Sequence, residues 1–123
     1  MNATITDFVG ETPVTAVSRV EDYIRTHSFD RPTLVIDTQA VAGQFRALRA
    51  GLGRADIHYA VKANPAPEVI ETLIALGGHF DAASRAEIEL CLGLGAAPET
   101  VSFGNTIKRP SDIAFAYRAG VRL

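Results

Sequence analysis

The sequence of 123 residues has one cysteine, no tryptophan and no excess of basic charge. A single cysteine, Cys91, has nothing to pair with inside the chain, so a disulfide-stapled scaffold is excluded. Lys and Arg number 12 against 14 Asp and Glu, a formal charge of −2, and no basic run stands out to grip a phosphate backbone. That argues against nucleic acid as a partner. No apolar stretch approaches the roughly 20 residues that cross a bilayer. The opening MNATITDFVG lacks the charged and apolar blocks of a signal peptide. The expectation is a cytoplasmic protein with no membrane and no nucleic-acid partner.

What is present is an apolar, periodic chain. With 47% hydrophobic and 21% charged residues, it has the make-up of a globular protein, long enough for one domain at most. Val17, Val20 and Ile24 fall at helical spacing, so residues 14–27 read as an amphipathic helix that SFDRP breaks. The β-branched run TLVID, residues 33–37, reads as a strand, and the next helix aligns Val41, Phe45, Leu48 and Leu52 on one face. A strand at 57–62 precedes a helix that opens near Pro67 and stops at Gly77-Gly78. Strand HFDAA then leads to a helix from Ser84 to Gly95, strand VSFG to a helix from Pro110 to Gly120, and VRL opens a further strand.

Helix, glycine, strand recurs in ALGGHF, GLGAAPETVSF and RAGVRL. With Ala60, Phe80, Ser102 and Arg122 as strand markers, the intervals are 20, 22 and 20 residues, compact for a βα unit and suited to parallel strands with crossover helices. That period favours a (β/α) barrel, while the open doubly wound sheet is built from the same units. A complete barrel takes roughly 250 residues. The expected fold is therefore α/β, a partial (β/α)8 TIM-like barrel: residues 31–123 form its N-terminal half and residues 1–30 an extension and helix. The chain is expected to be the N-terminal part of a longer protein, or one piece of a split one.

The segment HYAVKANPAP, residues 58–67, places a lysine near the end of an apolar run. A buried ammonium pairs, loses its proton or does chemistry, so Lys62 is the residue to explain. Alternation puts His58, Ala60, Lys62 and Asn64 on one side of the strand and Tyr59, Val61 and Ala63 on the other. In a barrel Lys62 then points inward near the carboxyl rim, where such folds keep their active sites, with small Ala60 beneath it leaving room for a ligand ring. A lysine snorkelling from a strand end to solvent accounts for the same residues. Asp81 falls at the corresponding end of the next strand, where it suits either an ion pair with Lys62 or a site for a cationic nitrogen.

YAVKAN, then FDAASRAEIEL about twenty residues later, then FGNTIKRPSDI and AGVRL, resemble the fold type III pyridoxal-phosphate decarboxylases with the alanine-racemase-like barrel. Within that group the likeness is greatest to ornithine decarboxylases, including bacterial enzymes that accept ornithine or lysine. Alanine racemases follow their lysine with a YGHG-like segment where this chain has NPAPEV. Diaminopimelate decarboxylases, which remain an alternative, show a DVVSGGEL-like segment where it has DAASRAEIEL.

The resemblance implies a pyridoxal 5'-phosphate enzyme of polyamine synthesis that decarboxylates a small-molecule amino acid, ornithine to putrescine or lysine to cadaverine. It implies that Lys62 carries the cofactor covalently, which needs a primary amine free of its proton part of the time. Asp81 matches an orienting or electrostatic position beside that bond, and Ala60 and Glu87 match cofactor-binding positions. A strand-end acid bonding nearby backbone also explains Asp81. Ser84-Arg-Ala-Glu87 is equally a capping box, in which the glutamate satisfies a backbone donor.

Cys91 shares a helical face with Ile88 and reads as core. His58 reads as packing in the lower layer, and His27 and His79 lack metal-ligand spacing. In the family the phosphate-binding glycine loop, the acid paired with the pyridine nitrogen, the ring-stacking histidine and the acid that reads the distal amine lie further along the chain. These 123 residues alone are thus expected to be inactive, and completion by a C-terminal segment, or a homodimer once complete, is implied. An inactive barrel fragment or a regulatory relative that works by association is the competing function.

Overall fold

The computed structural model describes residues 16–122, with side chains described from Arg19 onward. Its elements are α1 (Ala16–Thr26), α2 (Thr38–Leu52), β1 (His58–Ala60), α3 (Pro67–Ala75), β2 (His79–Ala82), α4 (Arg85–Gly93), β3 (Val101–Phe103) and α5 (Pro110–Arg118). Short 3₁₀ turns occupy Val61–Ala63 and Pro98–Thr100. Residues 14 and 15 of the first expected helix, and Leu123, lie outside the described residues.

Local chemistry sets the boundaries. Asp37 caps α2, its Oδ1 accepting from the amides of Gln39 at 2.9 Å and Ala40 at 3.1 Å, which satisfies donors that the first helical turn leaves free. Arg19 Nη2 of α1 closes on the Asp37 carboxylate at 2.7 Å. Pro67 and Pro110 open α3 and α5, where a missing N–H costs nothing.

The three recurring phrases share one physical cause. Gly77, Gly95 and Gly120 take φ values of 72°, 96° and 77°. At each, the next residue's amide reaches five residues back, Gly78 to Leu73, Ala96 to Cys91 and Val121 to Ala116, at 2.9, 3.0 and 3.0 Å. This is the Schellman ending, whose left-handed residue is nearly always glycine. One stop signal used three times sends each helix into the strand that follows.

The strands are parallel in the order β1-β2-β3, and Arg122 bridges to Ser102 in the same sense on the far side of β3. Each new strand is thus added beside its predecessor. Phe80, Ala82, Val101 and Phe103 are buried in one cluster with Phe45 of α2, Ile70 and Leu73 of α3, Ile88 and Cys91 of α4 and Ala116 of α5. Helices α2 to α5 therefore pack on one face of the sheet. Sequential addition with helices on one side is the winding of a barrel; a doubly wound sheet reverses strand order and carries helices on both sides.

Three expectations change. TLVID is not a strand: residues 33–37 lie outside every described helix and strand, and Leu34 is 80% exposed. A β-branched run becomes a strand only where a neighbour supplies the ladder, and no described segment does. The strand expected at 57–62 ends at Ala60, so Lys62 sits in the 3₁₀ turn. Finally, Ala60 pairs with Asp81 and Asp81 with Ser102, so the marker on β2 is Asp81. Phe80, chosen from the sequence, belongs to the helix-covered face.

Candidate functional site

The face of the sheet away from the helices carries the polar residues. Ala60, Asp81, Ser102 and Arg122 form one register row across it, and His58 pairs with His79 one row below. Alternation explains this division, since Phe80 and Ala82 fill the core while His79 and Asp81 are turned away from it.

Lys62 follows directly at the carboxyl end of β1. Val61 is fully buried and fixes the 3₁₀ turn in the core, which leaves Lys62 outside the core and exposed. The turn is fastened beyond it. The Tyr59 hydroxyl donates to the Asn64 carbonyl at 3.2 Å, and Asn64 Oδ1 accepts from the Ala66 amide at 3.1 Å. Burial, partly offset by that bond to Asn64, raises the Tyr59 pKa above its ordinary value, so the phenol stays a donor at neutral pH.

Asp81 is partly buried, and no Lys62–Asp81 ion pair forms among the described residues. Lys62 is thus exposed rather than enclosed in this part of the barrel, and of the two readings of Asp81 the ion pair does not form. Three strands form an open sheet rather than a closed ring.

Glu87 adopts the capping arrangement in a modified form. Its Oε2 accepts from the Ala83 amide at 2.7 Å, while the Ser84 hydroxyl accepts from the Glu87 amide at 3.3 Å. The glutamate therefore ties down the loop leaving β2, one residue earlier than the usual box. Cys91 is fully buried, and burial with Glu87 nearby pushes its thiol up to about 11, which makes it a poor nucleophile.

Sequence reasoning gave Ser102 and Gly104 no role at the site, and read His58 only as packing and His79 only as lacking metal-ligand spacing. Ser102 shares the open face with Asp81, and its hydroxyl donates to the Phe80 carbonyl at 3.2 Å; the alternation V-S-F carried that signal. His58 and His79 meet edge to face with ring centroids 5.0 Å apart, and His79 Nδ1 is buried without a partner among the described residues. Gly104 lies against the Asp81 carboxylate, which occupies the space that a methyl group at 104 would take. An amine, a carboxylate, the small floor of Ala60 and a buried nitrogen without a partner suit a planar, polar cofactor that carries an aldehyde. These residues supply a primary amine and a carboxylate, and they include no glycine loop for a phosphate.

A family model described as the pyridoxal binding domain of pyridoxal-dependent decarboxylases matches residues 38–123. The chain is 42% identical over 93 residues to the chloroplastic ornithine decarboxylase of Nicotiana glutinosa, covering 76% of this chain and 22% of that protein. Lysine/ornithine decarboxylase of Selenomonas ruminantium is 36% identical over 91 residues, covering 74% of this chain and 23% of that one. Among solved structures, lysine/ornithine decarboxylase from Vibrio vulnificus complexed with putrescine superposes with a TM-score of 0.75 at 33% identity, over 85% of this chain and 28% of that one. The chain spans well under a third of the length of these relatives. It belongs to the pyridoxal-dependent decarboxylases, as a partial (β/α)8 barrel from the pyridoxal binding domain whose cofactor is pyridoxal 5'-phosphate.

Proposed function

We propose that the protein of which this chain is a part decarboxylates a basic amino acid, ornithine or lysine, and releases the diamine putrescine or cadaverine in polyamine synthesis. The observation that carries this reading is Lys62, at the carboxyl end of β1 beside the row Ala60-Asp81-Ser102. The chain's other lysine, Lys108, lies over the Phe103 ring with Nζ 5.2 Å from its centroid, on the face that packs against the helices. Structures of the Vibrio vulnificus relative with putrescine and with cadaverine support the choice of substrate class.

Bound pyridoxal phosphate supplies an electron sink for the bond that breaks. Lys62 Nζ is the primary amine that would hold the cofactor covalently through its aldehyde. Asp81 presents a negative charge on the open face and orients the cationic groups that develop there. Ala60, by being small, leaves space for the ring, and Glu87 fixes the loop that follows Asp81. Residues 31–123 are, in this proposal, the first half of the cofactor barrel, with residues 1–30 preceding it. The remaining wall and the phosphate site come from sequence that follows, in the same chain or in a complementing one, in a cytoplasmic homodimer.

Replacing Lys62 with alanine in the complete protein abolishes carbon dioxide release from carboxyl-labelled ornithine and lysine. Turnover that survives the substitution contradicts the proposal.

A further inference from the structure

Gly104 follows β3 on the open face, and its amide continues the ladder by donating to the Ala82 carbonyl at 3.0 Å. A methyl group placed on its α carbon would overlap Asp81 Oδ1 outright and stand 2.9 Å from Asp81 Cγ. The obstacle is the carboxylate end of the Asp81 side chain, on the neighbouring strand. Backbone conformation does not explain the glycine, because Gly104 is absent from the residues with positive φ. No side-chain hydrogen bond holds Asp81 among the described residues, and the bare α carbon of Gly104 leaves the space that its carboxylate occupies. A glycine within a sheet commonly marks such a close approach.

We infer that Gly104 is the positioning residue for Asp81: the bare α carbon is the recess in which the carboxylate rests at the carboxyl end of the sheet. The inference rests on the proposed role of Asp81. Any side chain at 104 drives the carboxylate off this seat, and misplacement of a charged group by about 1 Å costs on the order of a hundredfold in rate.

The test is a double-mutant cycle in the complete holoenzyme, reading kcat, KM and the pyridoxal phosphate dissociation constant from equilibrium dialysis. Gly104→Ala is expected to lower kcat on the order of a hundredfold, with a smaller change in KM and weakened cofactor binding. In an Asp81→Ala background, where the obstructing carboxylate is gone, the same substitution is expected to change neither kcat nor cofactor affinity. Gly43→Ala, on α2 with nothing within 4 Å of the added methyl group, controls for a generic glycine effect and leaves both unchanged.

A silent Gly104→Ala beside an impaired Asp81→Ala overturns the inference and leaves the role of Asp81 standing. Equal losses from Gly104→Ala in both backgrounds also overturn it, since the glycine then acts through something other than Asp81. An Asp81→Ala enzyme with normal turnover and cofactor affinity overturns the role of Asp81 itself.

Discussion

Glu87 offers a local test of how the loop after β2 is held. Its carboxylate accepts the Ala83 amide at 2.7 Å in a partly buried setting, a charge-assisted bond worth about 1.5–3 kcal/mol. Replacement by alanine leaves that N–H without its acceptor. Because about 1.4 kcal/mol is a factor of ten, hydrogen exchange at the Ala83 amide in the complete protein is expected to rise on the order of ten- to hundredfold. Glu87→Gln keeps an oxygen acceptor and loses the charge, so its increase stays below about tenfold. Ser84→Ala removes the acceptor for the Glu87 amide, costs about 1 kcal/mol, and speeds exchange at that amide about fivefold. Unchanged exchange at Ala83 in Glu87→Ala would refute the bond and the reasoning built on it. A loss of cofactor affinity without faster Ala83 exchange would assign Glu87 to the cofactor instead of the loop.

The Cys91 thiol, pushed up to about 11 by burial and by Glu87, should resist alkylation of the native protein at pH 8 and react only on unfolding; rapid native labelling would contradict its burial. Asp37 gives a pH dependence of known sign. Burial acts to raise its pKa, but the hydrogen bond from Arg19, the Ala40 amide and the Arg19 charge outweigh that and hold it below 3.8. Its contribution at the junction of α1 and α2 is therefore complete above the unfolded pKa and is lost as pH falls through the lower folded value. Protection of the Gln39 and Ala40 amides should hold at pH 5 and fall only below about pH 4. Loss of that protection at pH 5 would refute the assignment.

Much of the architecture was legible because it rests on local signals. Helix periodicity and the glycines at 77, 95 and 120 mark the βα repeat before any contact is known. What the sequence concealed depends on neighbours. TLVID has the composition of a strand, but pairing needs a partner strand that none of the described residues supplies. On β2, HFDA alternates cleanly, yet the choice between Phe80 and Asp81 as the register partner of Ala60 is made across the sheet.

The same limit applied to the site. Lys62 and Asp81 stand out as candidates because an amine and an acid at strand ends are chemically conspicuous. The turn holding Lys62 depends on Val61 entering the core and on the Tyr59 bond to Asn64. Gly104 was missed because its significance lies in the carboxylate of another strand, although a glycine closing VSFG was a visible cue.

The central claim is that Lys62 is the amine that meets the cofactor. Reduction of the complete, pyridoxal phosphate-loaded protein with borohydride, followed by peptide mapping, tests it directly. The account predicts a phosphopyridoxyl group on Lys62 and none on Lys108; a label on another lysine, with Lys62 unmodified, would contradict it.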